Sequence, residues 1–575
     1  MIKTLYPYTK RFQKYAVLTP ICVIGEVLLE ITIPLLMSRI VDVGIPARDV
    51  GYIVRLDLGM TLLAVSGMLL GALSSRFAAL ASMGFGCEVR KAAFHNVQRF
   101  SFSNLDKFST ASLVTRLTTD VTNTQNAYQL VIRMLVRAPV MLVSATLMAF
   151  SINDSLVSVF LVAIPVLGTA IFCLTRWAHP KFIAMLHRYD DLNASVQENL
   201  IAIRVVKAFV RADYEKEKFK KSNDELMQSS IAAERIIITM MPIMQLVVYS
   251  CILAILWFGG QMIIGGRMLS GELISFINYV TQILMSLMMI GMAFTQLVMA
   301  RASMQRLAEV IEEQPEIAGA PAGSGPELED GSVEFKHVDF KYNRQSDAET
   351  LKDICLSIRS GETVGILGGT GSAKSSLVQL IPRLYDICGG ELLVGGHPVQ
   401  EYELEVLRRG VAMVLQKNVL FSGSIRDNLR WGNNSATDEE IIAACRAASA
   451  HDFITSFPDG YDTDLGQGGV NVSGGQKQRL CIARALLAKP KILILDDSTS
   501  AVDTATDAAI RAALKTSLAG ATKIIIAQRA ASVCEADKIV VMEDGQIHAV
   551  GTHDELMKSC EIYRQVYQSQ QKGVA

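Results

Sequence analysis

The chain has 575 residues, with 55 Lys and Arg against 56 Asp and Glu, so its formal net charge is −1 with histidine neutral. Such a chain has no global basic field to hold nucleic acid, and we exclude that class of partner. Apolar residues make up 50% of the chain and charged residues only 19%, against about 25% charged in ordinary soluble domains. We therefore expect part of the chain to lie in lipid.

Long apolar runs are concentrated in residues 1–300. A membrane helix needs about 20 predominantly apolar residues to cross about 30 Å of hydrocarbon. The first run follows a basic stretch but is too long for a signal peptide and lacks a cleavage site, so we expect it to be retained. The six candidate membrane helices are 16–40, 56–82, 127–151, 155–177, 236–265 and 271–299.

The gaps between these runs predict the topology. The long gaps, after the second and fourth runs, are rich in Lys and Arg, whereas the short gaps contain little beyond Arg48 and Arg267. By the positive-inside rule, both termini and both long gaps are cytoplasmic. Apolar and charged residues alternate at helical spacing within the long gaps, so we expect the membrane helices to continue into the cytosol and turn back there.

Composition changes after the last apolar run. Residues 316–330 form a Gly- and Pro-rich linker between a predicted domain at 1–315 and another at 331–575. In the second domain, short β-rich runs alternate with helical patterns, which indicates an α/β domain with a largely parallel sheet. The predicted fold is an all-α six-helix transmembrane domain followed by an α/β domain.

The ten cysteines contain no CxxC pair and no repeated spacing. This pattern fits neither a disulfide framework nor a zinc site. We expect reduced, mostly buried thiols.

A glycine-rich segment follows a predicted strand, Thr363–Leu367, and opens a predicted helix. This is the context of a phosphate-binding loop, in which main-chain N–H groups point at phosphate oxygens. Lys374 is expected to reach the β- and γ-phosphates and Ser375 to bind Mg²⁺. Ala373 stands where a second glycine is usual; if this residue needs a positive φ, alanine costs on the order of 1 kcal/mol. The loop and its continuation are Gly368, Gly369, Thr370, Gly371, Ser372, Ala373, Lys374, Ser375 and Ser376.

The other half of a nucleotide site lies downstream. The apolar strand Ile492–Asp496 ends in an acid suited to holding Mg²⁺ beside a phosphate loop, and Ser473–Gln476 precedes a helix with basic residues. With these motifs, and with Tyr342, Gln416 and Ser500–Asp503 in matching order and spacing, the chain resembles the ABC transporter family over nearly its whole length.

The resemblance implies ATP as the nucleotide and Mg²⁺ as its cofactor. Tyr342 is then the aromatic residue that stacks on adenine, Gln416 is the Q-loop glutamine that also binds Mg²⁺, and Asp503 belongs to the D-loop. In this family two nucleotide-binding domains enclose two ATP molecules, each held by one chain's phosphate loop and the other chain's signature motif. The signature residues here, which would serve the partner's ATP, are Ser473, Gly474, Gly475 and Gln476.

The resemblance also implies an exporter in the plasma (inner) membrane, with its nucleotide-binding domain in the cytoplasm. Closure of the nucleotide-binding domains would reach the membrane through the two turn-backs, one resting on its own chain and one on the partner. The candidate segments are Ser109–Thr118 and Ala202–Ala212. The expected substrate is a small amphipathic or lipophilic, multidrug-like compound.

Three positions depart from the family pattern. Asp497 and Gln528 occupy the positions of the catalytic glutamate and the switch histidine, and Gln467 stands before the signature where exporters usually have glutamate. Aspartate is one methylene shorter than glutamate, and a glutamine cannot carry the proton that a histidine can. We therefore expect the degenerate half of a heterodimeric exporter, with weak hydrolysis at its own site. A slow homodimer, a non-hydrolysing regulatory subunit and a lipid flippase remain alternatives.

Charged and sulfur-containing residues in the membrane runs are candidates for the substrate path. Glu26 and Glu30 could meet a cationic substrate, could pair with Arg133 or Arg137 of a neighbouring helix, or could simply lie near the polar interface. Flexible methionines suit either a surface that adapts to varied apolar ligands or ordinary core filling. They are Met285, Met288, Met289 and Met292 in the sixth run, and Met240, Met241 and Met244 beside Pro242 in the fifth.

Overall fold

The computed structural model describes the chain except residues 322, 343–347, 499–501 and 573–575. Ser500 and Ala501, and the side chains of Met240 and Met244, lie outside the described residues. The chain divides into two compact units. The first comprises Met1–Gln98 and Thr110–Glu313, and the second comprises Arg99–Ser109 and Gln314–Ala575.

In the first unit, the described residues form six helices long and apolar enough to cross a membrane. Each is 43 to 53 residues long, about twice what a bilayer requires. The six predicted apolar runs are thus confirmed as helices, and each helix extends beyond its predicted run. The helices are Ile2–Ala47, Val50–Gln98, Thr110–Ile152, Leu156–Ile201, Ala212–Ile264 and Ser270–Glu312.

The first and sixth of these helices are joined by polar contacts. The hydroxyl groups of Tyr279 and Ser275 donate to the main-chain carbonyls of Ile31 and Pro34 at 2.8 and 2.5 Å. A Cβ on Gly271 would lie only 2.6 Å from the carbonyl oxygen of Ser38, so a glycine is needed where the two helices approach.

The second unit is an α/β domain with two main sheets. Its six-stranded sheet has the order β12-β11-β3-β10-β9-β6 and is parallel except for the β11–β12 pair. An antiparallel sheet has the order β2-β1-β4-β5, and β7 pairs with β8. The strands are β1 Val333–Phe340, β2 Leu351–Ile358, β3 Thr363–Gly368, β4 Gly389–Val394, β5 His397–Pro398, β6 Val411–Val414, β7 Gly423–Ser424, β8 Asp464–Leu465, β9 Ile492–Asp496, β10 Thr522–Ile526, β11 Lys538–Glu543 and β12 Gln546–Gly551.

The parallel sheet confirms the predicted fold class, but β1 does not belong to it. Phe335 and Val338 of β1 are buried in the core beneath the antiparallel sheet, and β2 supplies the facing Ile354. The helices of this unit are Phe102–Lys107, Lys374–Leu380, Leu404–Gly410, Ile425–Arg430, Asp438–Ala447, His451–Thr455, Gly474–Leu487, Thr504–Ser517, His553–Ser559 and Glu561–Lys572.

The first turn-back differs from its prediction. The segment that packs within the α/β unit is Arg99–Ser109, ahead of the predicted Ser109–Thr118. Its helix, Phe102–Lys107, begins at Ser101, which forms a capping box with Asn104, so a local capping signal sets its position. The second turn-back, the helix Ile203–Ala208, lies within the predicted range.

Candidate nucleotide-binding site

The candidate site lies at the carboxyl ends of four adjacent parallel strands. In the order β3, β10, β9, β6, these strands lead into the phosphate loop, Gln528, Asp497 and Gln416. In parallel α/β sheets this edge is where ligands bind, because the loops that leave the strands converge there. The sheet order therefore brings together residues that are far apart in the sequence.

The phosphate loop turns from β3 into the helix Lys374–Leu380. Gly371 and Ala373 have φ values of +87° and +66°. The open question about Ala373 is thereby answered: it adopts the left-handed conformation, at a cost of about 1–2 kcal/mol for a residue with a Cβ. The Lys374 ammonium donates to the carbonyl oxygens of Gly368 and Gly369 at 3.0 and 2.7 Å, so the lysine is held over the loop.

Burial shifts the pKa values of the charged groups behind this loop. Burial lowers the pKa of Lys374, and the nearby carboxylates of Asp496 and Asp497 oppose that effect. Burial likewise raises the pKa of Asp496, against the hydrogen bond from Ser375 and the charge of Lys374. A site with one desolvated ammonium and two desolvated carboxylates gains from a ligand that carries both phosphates and a cation.

The predicted metal ligands are in contact with each other. Ser375 Oγ donates to Asp496 Oδ1 at 2.9 Å, and Asp496 is buried at the end of β9. A hydroxyl and a carboxylate are hard oxygen ligands of the kind that Mg²⁺ prefers beside phosphate groups. The residues present therefore fit this ion.

Asp497 is the centre of a second group. Its Oδ2 accepts a hydrogen bond from Gln528 Nε2 at 2.8 Å and a long one from Gln416 Nε2 at 3.5 Å. Burial raises the pKa of Asp497, and these two amides oppose that effect. Asp497 itself has a φ of +48°, a conformation that aspartate tolerates better than most residues. Asp497, Gln528 and the Q-loop residue Gln416, which the resemblance implies as the catalytic set, are thus brought into one cluster.

Tyr342 lies beside the phosphate-loop helix. Its hydroxyl is 2.9 Å from Ser376 Oγ, and its ring packs edge to face on Phe340 and Tyr385 at 4.9 and 5.0 Å. The residue is 47% exposed, so part of its ring surface is open to a planar ligand. The hydrogen bond to Ser376 has no signal in the sequence, since the two residues are 34 positions apart.

The signature segment caps its own helix. The main-chain N–H of Ser473 donates to Gln476 Oε1 at 2.8 Å, and Ser473 Oγ accepts from the N–H of Gln476 at 3.3 Å. Lys477 donates to the carbonyl of Gly468 at 2.8 Å. These hydrogen bonds hold the signature segment against adjacent residues of the same chain. The capping box explains why Ser and Gln stand three positions apart.

Asp503 also caps a helix. Its two carboxylate oxygens accept from the main-chain N–H and the hydroxyl of Thr506 at 2.9 and 2.8 Å. These bonds lower the pKa of Asp503, so it remains ionised at the start of Thr504–Ser517.

In the membrane unit, Glu26 and Glu30 lie beside a neighbouring arginine. Arg137 pairs with both, through Nη1 with Glu26 and through Nη2 with Glu30 Oε2 at 2.7 Å. The prediction of an ion pair with a neighbouring arginine is confirmed, and Arg137 is the partner.

Comparisons with known proteins cover most of the chain. Residues 17–287 match the family described as ABC transporter transmembrane region, and residues 351–500 match the family described as ABC transporter. The chain is 38% identical to the ABC transporter ATP-binding protein YfiB of Bacillus subtilis, over 98% of this chain and 97% of YfiB. It is 35% identical to the ABC transporter ATP-binding protein Rv1273c of Mycobacterium tuberculosis, over 99% and 98% of the two chains.

A solved structure shares the fold. The structure of a bacterial Atm1-family ABC exporter with ATP bound superposes with a TM-score of 0.83 and covers 98% of both chains at 23% identity. At this identity the likeness concerns the fold.

Proposed function

The chain belongs to the ABC transporter family, and we propose that it is the degenerate half of a heterodimeric exporter with a different partner chain. Its membrane-spanning helices and its nucleotide-binding domain make it a multi-pass, ATP-driven transporter. The observation that carries the proposal is the group around Asp497, in which an aspartate and two glutamine amides occupy the place of the hydrolytic machinery.

Binding of ATP follows from the arrangement of the phosphate loop. Main-chain N–H groups of Gly369–Ser375 and the Lys374 ammonium supply donors for the phosphates, and the exposed ring surface of Tyr342 suits adenine. Ser375 and Asp496 would hold Mg²⁺, with Gln416 beside them, and the ion when bound neutralises phosphate charge. The signature residues of this chain serve the ATP bound by its partner.

Hydrolysis at this chain's own site is slow because Asp497 is badly suited to activate water. Its carboxylate is one methylene short of a glutamate, and a misplacement of about 1 Å can reduce a rate about 10²-fold. Gln528 donates an amide hydrogen to the same carboxylate, and an amide neither takes up a proton nor carries charge. ATP held here therefore acts mainly as a clamp between the two chains.

We expect Asp497→Glu combined with Gln528→His to raise ATP turnover at this site by about tenfold or more, with little gain in transport. Single-turnover ATP hydrolysis and vesicle transport, measured on the assembled complex, report the two quantities separately. The matched control is Asp497→Asn, which removes the charge at nearly constant shape. It should leave total turnover almost unchanged; loss of most of the turnover in this variant would show that the native site is competent and would refute the degenerate-site proposal.

The membrane unit offers a cavity for an amphipathic substrate. It has a volume of about 220 Å³. Gln282 Oε1 is buried in the described structure without a hydrogen-bond partner, and the Glu26–Glu30–Arg137 group has one excess negative charge. The lining residues are Glu30, Arg137, Ala138, Met141, Thr281, Gln282, Met285, Ser286 and Met289.

These features favour an amphipathic substrate with a cationic, hydrogen-bond-donating end. The unpaired Gln282 Oε1 and the excess carboxylate charge beside Arg137 can accept hydrogen bonds, while Met141, Met285 and Met289 give the cavity an adaptable apolar wall. Of the other methionines of the sixth helix, Met288 packs against the apolar core and Met292 is exposed. Met285 and Met289, which line the cavity, are therefore the candidates for substrate contact in this helix.

Substitution of Glu30 tests this assignment. We expect Glu30→Gln to weaken the stimulation of ATP hydrolysis by a lipophilic ammonium dye about tenfold in apparent affinity, equivalent to about 1.4 kcal/mol. A neutral analogue of the same shape should keep its affinity, and Met292→Ala should respond like the parent to both compounds. An equal loss for the charged and the neutral compound would contradict a charge-recognising cavity.

A further inference from the structure

Three side chains of different chemistry converge on the outer face of the antiparallel sheet, away from the nucleotide site. His337 lies on β1, and Asp353 and Cys355 lie on β2. His337 Nδ1 is 2.6 Å from Asp353 Oδ1 and 3.5 Å from Cys355 Sγ. All three ligand atoms lie within 4.8 Å of one another, and all three residues are exposed.

Two irregularities in the strand pairing create this convergence. In a regular strand His337 would share the buried face with Phe335, because side chains two apart point the same way. The β1–β2 register shifts between Phe335 and Val338, and His337 and Asp353 have φ values of +50° and +48°. These bulges turn both side chains outward, toward Cys355.

Neighbouring residues hold the bulges in place. Asp339 Oδ1 accepts a hydrogen bond from the main-chain N–H of Asp353 at 2.8 Å. On the other side of β1, a Cβ on Gly390 would overlap the carbonyl oxygen of His337, so only a glycine permits that close approach. Both distorted residues are therefore fixed from outside the cluster.

We propose that His337, Asp353 and Cys355 form a binding site for a single divalent ion of the zinc class. In tetrahedral Zn²⁺ coordination the bonds are about 2.1 Å to nitrogen and about 2.3 Å to sulfur, so the nitrogen and sulfur ligand atoms lie about 3.6 Å apart. The observed Nδ1–Sγ distance of 3.5 Å matches. The His337–Asp353 distance must open by about 0.7 Å, which two side chains that are 78% and 71% exposed can accommodate.

The donor set selects the ion. One thiolate, one imidazole and one carboxylate suit Zn²⁺ and similar borderline ions, whereas Mg²⁺ prefers oxygen ligands alone. Binding forms a metal–sulfur bond as the Cys355 thiol releases its proton to solvent, and water completes the coordination. The ion would link β1 to β2, and β1 is the strand that leads directly to Tyr342.

Cobalt titration of the purified full-length chain in detergent tests the site, because a Co²⁺–thiolate bond gives a charge-transfer absorption band. We expect a band that saturates at one equivalent of Co²⁺ and disappears when Zn²⁺ is added. Cys355→Ser should abolish the band, and His337→Gln or Asp353→Asn should weaken Co²⁺ binding at least about tenfold.

The control is Cys388→Ser, which removes another exposed cysteine of the same domain and should leave the titration unchanged. ATP binding by each variant reports that the domain is folded. Absence of a saturable band, or a band that survives Cys355→Ser in a folded variant, would overturn the assignment. Neither result depends on whether the chain is the degenerate half of an exporter.

Discussion

The carboxyl group of Asp496, in the nucleotide site, lowers the stability of its own domain because it is buried. The residue is 3% exposed, and burial raises its pKa above the ordinary value of an aspartic acid. A carboxyl group whose pKa is raised by folding destabilises the folded state at every pH above that pKa. The destabilisation is relieved as the pH falls through the folded pKa toward the unfolded one.

We therefore expect Asp496→Asn to raise the thermal midpoint of the nucleotide-binding domain at neutral pH without nucleotide. The gain should shrink as the pH is lowered toward about 4, the ordinary pKa of an aspartic acid, because the parent then becomes protonated. Addition of Mg²⁺ and ATP should stabilise the parent far more than the variant. Differential scanning fluorimetry at several pH values measures all three effects.

Ser375→Ala is the control for this experiment, since it removes the hydrogen bond to Asp496 but keeps the buried charge. It should lower the midpoint at neutral pH. A midpoint for Asp496→Asn below that of the parent at neutral pH would contradict the electrostatic argument.

For single residues, the local backbone conformation could not be predicted from the sequence. The departures at Ala373 and Asp497 are visible in the sequence, but their left-handed dihedrals of +66° and +48° are not. The hydrogen bond between Gln528 and Asp497 depends on the neighbouring ends of β10 and β9, 31 positions apart in the chain. Likewise the spacing of the cysteines does not predict that Cys355 meets His337 and Asp353, because this contact depends on the bulges.

At the scale of elements, the short helix Phe102–Lys107 is the main candidate for coupling ATP hydrolysis to transport, because it packs within the nucleotide-binding unit. The Tyr385 hydroxyl donates to Asp106 Oδ2 at 2.8 Å, and its ring packs on Phe102 at 5.9 Å between centroids. Burial and the Asp106 carboxylate raise the pKa of Tyr385, so this hydroxyl stays protonated and keeps its role as donor. The helix is thereby anchored to the domain that binds ATP.

We expect Tyr385→Phe to uncouple transport from ATP hydrolysis in part. The substitution keeps the ring against Phe102 but removes a hydrogen bond to a charged group, worth about 1.5–3 kcal/mol. Transport per ATP hydrolysed, measured in vesicles, should fall severalfold while hydrolysis is retained.

Tyr402→Phe is the matched control. It also removes a tyrosine hydrogen bond, to the carbonyl of Val394 at 2.7 Å in the core, and should reduce stability without changing the coupling ratio. If Tyr385→Phe transports as efficiently per ATP as the parent, this contact does not transmit closure.

Elements that follow from periodicity and length were predictable. The six apolar runs correspond to six helices in the described residues, and β3 and β9 beside the nucleotide site lie within one residue of their expected ranges. The partner of β1 was not, because a strand's own alternation does not specify its neighbour. The first turn-back was placed too late, since its position depends on the cap at Ser101 and on contacts of Phe102 and Asp106 with Tyr385.

At the scale of the whole molecule, two surfaces suit a second chain. The second turn-back leaves the adjacent residues Phe209 and Val210 74% and 86% exposed, and exposed apolar residues that lie together can bind a partner. In the signature motif, Ser473 and Gly474 are exposed, and Ser473 and Gln476 bond to each other as a helix cap. Both surfaces gain a role if a partner's nucleotide-binding domain and a partner's ATP lie against them.

The composition of the native assembly decides between a different partner and a second copy. The chain has a mass of 62.8 kDa, so two copies would have twice that mass, and the identity of the subunits distinguishes this assembly from one with a different partner. Two different ATP sites are expected if one site holds ATP and the other hydrolyses it. Two copies of this chain would instead place Asp497 and Gln528 in both sites.

We expect gentle extraction of the tagged chain from its own membrane to yield two different chains in equal amounts. The second should carry glutamate and histidine at the positions that match Asp497 and Gln528. Native mass spectrometry with peptide identification of each subunit makes the measurement, and a tagged chain with Ser473→Ala should assemble equally well but hydrolyse ATP at least about tenfold more slowly. Recovery of a single species at twice 62.8 kDa would instead establish two equal, slow sites and remove the basis for an asymmetric exporter.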